Sequence, residues 1–392
     1  MRIEWSGRSF DYTEDDIAVV AEVMRSGDPL TQGPRLKTLE ADFSKYAGSN
    51  HAFGVANCTN ALDLSALLSQ LSDADEVIVP AHTFCATAIP FARTGAKIVW
   101  ADLDPETRVI SPESILANLT SRTKVIVVVH LYGLMADMNA IMEIGRDNDC
   151  VVVEDCAQSL GAEADGKLAG SIGDLGTFSF QCQKNITTLG EGGILTVREE
   201  SVAELVPGLR HNGGRPFPEG REDYWAPAMS NIDQDIDGVW PYNFCLGEAQ
   251  AALGSNLLKR VDEMNEIRIA RANYFRKEMS SYPELVFQTV PKGYKHVYHL
   301  LAAKYNGQDT GKTNHDLIRL MSSEYGVKCI VQYYPLYRYP LFQKMGFGEA
   351  NCPHTDAFFD NMVSFPFHLW MSDEDFDYMI ESTQSAMKRL RG

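Results

Sequence analysis

Two side chains near the middle of this 392-residue sequence have the types and surroundings that amine chemistry needs. Asp155 ends the β-branched run Val151-Val152-Val153 in the stretch VVVEDCAQSLGA, and Lys184 ends an aromatic run in GDLGTFSFQCQKNITTLGEGG, just before a glycine-rich turn. A lysine shielded from water and set beside a cation gives up its proton more readily, so its neutral amine becomes available as nucleophile and proton carrier. A carboxylate at the C-terminal end of a buried strand lies where open α/β sheets hold ligands. Such a pair meets the needs of pyridoxal phosphate (PLP). That cofactor requires an amine to form a Schiff base with its aldehyde, an anion to keep its pyridine nitrogen protonated, and N–H and hydroxyl donors for its phosphate. Gln158, three residues after Asp155, is placed to hydrogen-bond the phenolic oxygen of the ring. Taken singly, Lys184 also reads as a solvated loop lysine and Asp155 as a helix N-cap, because isolated motifs arise often by chance.

The rest of the chain supplies further segments in a fixed order. They are Leu30-Thr31-Gln32-Gly33-Pro34, Ala56-Asn57-Cys58-Thr59-Asn60-Ala61-Leu62, Asp75-Glu76-Val77-Ile78-Val79-Pro80 with His82-Thr83-Phe84, and His130-Leu131-Tyr132-Gly133. Pro241-Tyr242-Asn243-Phe244, Tyr298-His299 and Ser364-Phe365-Pro366-Phe367-His368 follow. From end to end this set resembles the DegT/DnrJ/StrS-type sugar aminotransferases, with their LTxGP substrate loop, SGTxAL phosphate turn, GYNY/GYNF turn and C-terminal signatures. The resemblance implies PLP as cofactor and the aspartate aminotransferase architecture, fold type I. In it the amines of Lys184 and the carboxylate of Asp155 are catalytic, Phe84 stacks on the pyridine ring, and Ser179 adds a hydroxyl to the phosphate site. Asn243 would reach that site from the other protomer, so each site would need a homodimer. A strand ending near Ala56 and a helix beginning at Thr59 would aim the N–H groups of Cys58 and Thr59 at the phosphate, with the helix dipole adding attraction; a simple N-cap is the other reading of Thr59, and a core phenylalanine that of Phe84. His299 and His368 are given no catalytic role.

The implied reaction is ping-pong transfer of an amino group from L-glutamate to a carbonyl sugar. Two departures from the family pattern bear on that acceptor. Gln181 stands in SFQCQK where histidine is usual, and Cys245 follows the YNF turn where arginine is common. In its Gln181 the chain resembles members acting on cyclitols or other non-nucleotide acceptors, and the lost cation at Cys245 weakens the case for a nucleotide-linked sugar without excluding it. The acceptor that the resemblance implies is 3,8-dideoxy-8-oxo-manno-octulosonate of lipopolysaccharide synthesis, with a nucleotide-linked keto-sugar or a cyclitol ketone as the alternative. Retention of Lys184 argues against the sugar dehydratases, in which histidine replaces it. A PLP lyase, or a regulatory homologue without catalysis, ranks lower. Which of Arg35, Arg215 or Arg338 binds a substrate carboxylate stays open, since each also reads as a solvated surface residue.

These residues need elements to position them, and the expected order is α/β. Thr13 with Asp16 predicts a helix start, followed by an apolar face at Ile17, Val20, Ala21 and Met24. Strand-like runs lie at 53–56, 76–79, 98–101, 125–129, 151–154, 178–180 and 193–197, with helical stretches between several of them, as a mostly parallel sheet requires. A long helical pattern over 247–279 leads to a smaller α/β unit with strands near 298–304 and 327–332 and a closing helix after Ser372. The expected division is an N-terminal arm and large PLP-binding domain over 1–250, then a linking helix and small C-terminal domain over 251–392. The polar stretch 215–240 reads as a long loop.

Composition narrows the partners. A formal net charge of −18 disfavours nucleic acid, whose phosphates need a basic surface. No apolar run approaches the eighteen or so residues of a membrane span, and no signal-peptide pattern opens the sequence. Eight cysteines without CxxC or zinc-like spacing predict free thiols and a cytoplasmic protein.

Overall fold

Valine-rich runs buried on both faces build the centre of the molecule, because strands covered by helices above and below read as nearly continuous apolar segments. The computed structural model describes residues 1–5, 10–27, 29–215, 231–233 and 235–392. Strands β1 (His51–Val55), β2 (Glu76–Pro80), β3 (Lys97–Ala101), β4 (Thr123–Val129), β5 (Val151–Asp155), β6 (Leu175–Ser179) and β7 (Gly193–Val197) form one sheet in the order β1-β7-β6-β5-β4-β2-β3. Pairings among β2, β3, β4, β5 and β6 are parallel, whereas β7 runs antiparallel to both β6 and β1. All seven expected strands are present, with no end shifted by more than three residues. A second, antiparallel sheet contains β8 (Leu285–Phe287), β9 (Leu301–Tyr305) and β10 (Met362–Phe365).

The first helix, α1 (Glu14–Ser26), starts in the expected capping box: Thr13 and Asp16 each accept from the other's backbone N–H. Its buried face differs from the expected one. Asp16 and Val23 point inward, while Ile17 is 53 % and Met24 72 % exposed. Polar anchoring sets this rotation, since Asp16 accepts from Asn256 Nδ2 at 2.9 Å and pairs with Arg260. Helix α2 (Pro34–Ala47) begins with proline at its first position, where a missing N–H costs nothing. Its free N–H groups are taken by the buried carboxylate of Glu248, which accepts from Gly33 and Arg35 at 2.8 Å and from Leu36 at 3.2 Å. A side chain at Gly33 would collide with Pro29 and with that carboxylate, so the glycine of LTQGP serves a tight approach.

Helix α3 (Cys58–Leu68) follows β1. The expected single helix over 247–279 is two helices, α4 (Glu248–Leu258) and α5 (Val261–Glu278). The chain breaks at Lys259-Arg260, where Arg260 leaves helical geometry and reaches Asp16 of α1. Residues 327–332 make isolated bridges only, Ile330 to Ser364 among them, and the third strand of the small sheet is β10 instead. The closing helix α6 (Asp373–Arg391) starts at the Ser372 cap as expected. Of the loop expected at 215–240, residues 216–230 and 234 lie outside the described residues. No helix among the described residues is long and apolar enough to cross a membrane, and all eight cysteines are free thiols.

Candidate active site

Asp155 is the last residue of β5, near the centre of the large sheet, and its carboxylate is held on both oxygens. Oδ2 accepts from the Thr87 hydroxyl at 2.7 Å and Oδ1 from the Ala157 N–H at 3.1 Å; Thr87 in turn contacts the Thr83 hydroxyl at 3.0 Å. Burial pushes its pKa up against these donors and against the charge of Lys184. Lys184 stands in the turn after β6, with its backbone N–H on the Gln181 carbonyl at 2.8 Å. Part of its side chain touches open cavity space, yet its surroundings are dense enough that desolvation lowers the amine's pKa, opposed by Cys58 and Asp155. Both residues line one cavity of about 700 Å³ together with Cys58, Thr59, Phe84, Gln158 and Ser179.

At one end of that cavity lies the start of α3. The helix begins one residue earlier than expected, with Asn57 as its cap, accepting from the Asn60 N–H at 3.0 Å. Thr59 is therefore not the N-cap. Cys58 and Thr59 occupy the first turn, where N–H groups have no carbonyl partner within the helix and can take an anion. The helix comes so close to the sheet that a Cβ at Gly193 of β7 would lie 2.6 Å from the Asn57 carbonyl carbon and 2.7 Å from the Cys58 nitrogen. Only glycine permits this approach.

Gln158 is fixed by its acceptor side. The Tyr132 N–H donates to Oε1 at 2.8 Å, which leaves the Nε2 donors without a partner among the described residues and able to meet an oxygen in the cavity. Tyr132 donates its hydroxyl to the Gln332 carbonyl at 2.8 Å and so accepts from His82 Nε2 at 2.7 Å. Phe84 is half-exposed on the cavity wall, its ring edge-on to Tyr333 with centroids 6.0 Å apart. Behind Asp155, His130 donates from Nε2 to the buried Glu154 carboxylate at 2.8 Å, because its Nδ1 already accepts from the Ala136 N–H. Glu154 also accepts N–H groups of Gly170, Ile172 and Gly173. With Cys156 nearby, this trio has the composition of a metal cluster, but those bonds saturate the histidine and the carboxylate and make it a structural brace.

Several expected residues lie elsewhere. Asn243 is exposed, bridges His211 and does not line its own chain's cavity. The LTQGP segment packs against the start of α4, with the Glu248 N–H on the Leu30 carbonyl, and also stays outside the cavity. Arg35 pairs with Glu22, Arg215 with Asp233, and Arg338 with Asp356 and Asp360. None of these three arginines lines the cavity; Arg93 and Arg268 do. Thr87 and Arg268 went unnoticed in the sequence because each acts through residues distant along the chain.

The donors present fit PLP: an N–H-rich helix start and the Ser179 hydroxyl for phosphate, a buried carboxylate, an amide donor, an aromatic wall and a desolvated amine in one enclosure. Comparison with known proteins agrees with this chemistry. Residues 11–384 match the model of the DegT/DnrJ/EryC1/StrS aminotransferase family. The spore coat polysaccharide biosynthesis protein SpsC of Bacillus subtilis is 32 % identical over 96 % of this chain and 95 % of its own. A UDP-N-acetyl-3-dehydro-alpha-D-glucosamine 3-aminotransferase of Acidithiobacillus ferrooxidans is 32 % identical over 87 % of this chain and 86 % of its own. The PLP form of a putative sugar aminotransferase from Streptococcus pneumoniae superposes with a TM-score of 0.83 at 26 % identity, covering 97 % of both chains.

Proposed function

Because this chain belongs to the DegT/DnrJ/EryC1/StrS aminotransferase family and is a PLP-dependent transaminase of sugar metabolism, we propose that it transfers the amino group of L-glutamate to a nucleotide-linked keto-sugar. The observation that carries the chemistry is the pair of Asp155 and Lys184 in one cavity, a buried carboxylate facing a desolvated amine. When bound, PLP supplies an aldehyde that condenses with amines and a ring that draws in the electron pair left at the substrate carbon. Asp155 would hold the ring proton in place, and its Thr87 and Ala157 donors keep its oxygens aimed. Lys184 Nζ, whose pKa desolvation lowers, would take up the proton from the donor's α-carbon and hold it for return. Gln158 Nε2 would donate to the phenolic oxygen, Phe84 would wall the ring, and the N–H groups of Cys58 and Thr59 with the Ser179 hydroxyl would hold the phosphate.

The UDP-linked substrate in the name of the Acidithiobacillus relative supports a nucleotide-linked acceptor. The octulosonate of lipopolysaccharide synthesis is the second reading, favoured by two neutral positions. Gln181 lines the cavity with its side chain turned onto Cys182 and the Gln183 N–H, and Cys245 lies against the Arg210 carbonyl where a cation would be expected. A mass-spectrometric screen of keto and aldehyde sugars, free and nucleotide-linked, after amino loading from glutamate should yield an aminated nucleotide sugar. Amination of free octulosonate alone would replace the first reading by the second.

The proposal includes a homodimer that completes both sites through Asn243. Exposed Trp240 and Tyr242, beside Asn243 in the chain, support such a contact, since aromatic side chains are enriched at subunit interfaces. The free thiols support a reducing, cytoplasmic setting.

A further inference from the structure

Beside Lys184 the cavity meets a group of nitrogen-bearing side chains that the reading above leaves without a task. Arg268 comes from α5, His299 from the segment before β9, and His368 from the segment after β10; all three line the cavity. Arg268 is only 3 % exposed. Its Nη1 donates to the Tyr298 carbonyl at 3.4 Å, its Nε is buried without a partner, and among the described residues no carboxylate pairs with it. The neighbouring Arg271 is already committed, donating to the His368 and Leu369 carbonyls and pairing with Asp373. A buried guanidinium lacking both counter-ion and full hydrogen bonding is costly, and a bound anion relieves that cost.

The two histidines are turned into the same space, each with Nδ1 buried and unpartnered. Burial first, then the charges of Lys184 and Arg268, hold His299 well below its ordinary pKa, so this ring lies within electrostatic reach of both cations. Burial, then Arg268 and Arg271, push His368 down to about 4. Both rings are neutral near pH 7 and can donate one N–H without adding charge. Backbone geometry fixes the place of His299: Tyr298 is left-handed at φ 46°, and the His299 N–H donates to the Tyr132 carbonyl at 2.8 Å. The same close pairing explains Gly133, whose Cβ would lie 2.9 Å from the Tyr298 nitrogen.

The anion must reach this depth while its reacting carbon is at Lys184. An α-amino acid carries a carboxylate one bond from that carbon. A nucleotide-linked sugar carries its phosphates beyond the anomeric carbon, with other ring atoms intervening. We propose that Arg268, with His299 and His368, forms the subsite that takes a carboxylate of the amino-acid donor. This deepens the reading above and rests on its choice of an amino-acid donor. The planar fork of Arg268 binds the carboxylate, and the histidine N–H groups orient it.

The test is calorimetric titration of the PLP-loaded protein with glutarate, an unreactive dicarboxylate, and separately with UDP. Arg268→Gln should weaken glutarate binding at least tenfold and leave UDP within threefold; Arg268→Lys should recover part of the loss. With L-glutamate, the spectral change of the first half-reaction should need at least tenfold more donor to saturate in Arg268→Gln. An unchanged cofactor spectrum and melting temperature would show that the fold is intact. If Arg268→Gln fails to fold, Arg268→Lys and His299→Gln carry the comparison on the same terms. Unchanged glutarate affinity overturns the proposal, as does a loss confined to UDP, which would make this a phosphate site. Should glutarate binding depend on Arg268 while glutamate proves inert, the donor assignment fails and the carboxylate subsite stands.

Discussion

Asp155 shows how one buried charge is made tolerable and useful. Its two oxygens meet a hydroxyl and a backbone N–H, and Lys184 supplies the balancing charge within the same cavity. Asp155→Asn keeps the shape: Oδ1 can still accept from Ala157, and the Thr87 hydroxyl can turn to accept from the new amide. What disappears is the charge opposite the ring nitrogen. A unit charge a few ångströms away is worth about 4 kcal/mol at an effective dielectric near 20, so turnover should fall on the order of hundreds-fold. Steady-state assay of the folded, cofactor-loaded variant checks this, and near-wild-type turnover would make Asp155 purely structural. Asp155 and Lys184 were legible in the sequence because each ends a local run whose character changes at that residue. Arg268 was not. Its significance comes from Tyr298, His299 and His368, 30 to 100 residues away, and nothing around it in α5 sets it apart from a surface arginine.

Among the elements, the large sheet was readable because burial on both faces forces unbroken apolar runs. Helix orientation was less so, since periodicity gives an apolar stripe but not which partner claims the other side. In α1 the claim is polar. Asp16 is fully buried, with Arg260, Asn256 and Thr13 as donors. Burial alone would push its pKa up, but Arg260, the Thr13 N–H and Asn256 outweigh it and leave the group below the ordinary carboxylate value. Because the folded pKa is depressed, this contribution is fully present above the unfolded value near pH 4 and is lost as pH falls through the lower folded value. Asp16→Asn should therefore cost about 2 kcal/mol near neutral pH, with the difference from wild type shrinking in acid. Denaturant melts at pH 7 and pH 3 test this; an equal deficit at both values would assign the loss to shape, not charge. The break at Lys259-Arg260 was hidden for the same reason, as both flanks are helical and only the distant Asp16 explains why the chain turns there. The small sheet misled differently: residues 327–332 are apolar enough for a strand, but the backbone partner of β9 is β10.

At the scale of the whole molecule, exposed Ile17, Met24, Trp240 and Tyr242 and an Asn243 outside its own cavity support the proposed two-chain unit. Mixing inactive Lys184→Ala protein with impaired Asn243→Asp protein should restore activity in part of the heterodimers, since two-fold symmetry gathers both defects in one site and leaves the other intact. Demonstrated subunit exchange without recovered activity would confine Asn243 to its own chain. The division near residue 250 remains a proposal, supported by the separate buried cluster around β9, β10 and α6. One consequence of the strand order concerns the chain while it is still being made. Among the described strands β1 pairs with β7 alone, and Gly193 at the head of β7 packs on the start of α3. In a nascent polypeptide that has emerged only to residue 190, β2 to β6 have their sheet partners but β1 does not, so the expected full seating of the phosphate turn awaits a strand encoded nearly 140 residues later. Ribosome-stalled chains ending on either side of β7 should differ sharply in cofactor retention, and equal retention would show that α3 finds its place without that strand.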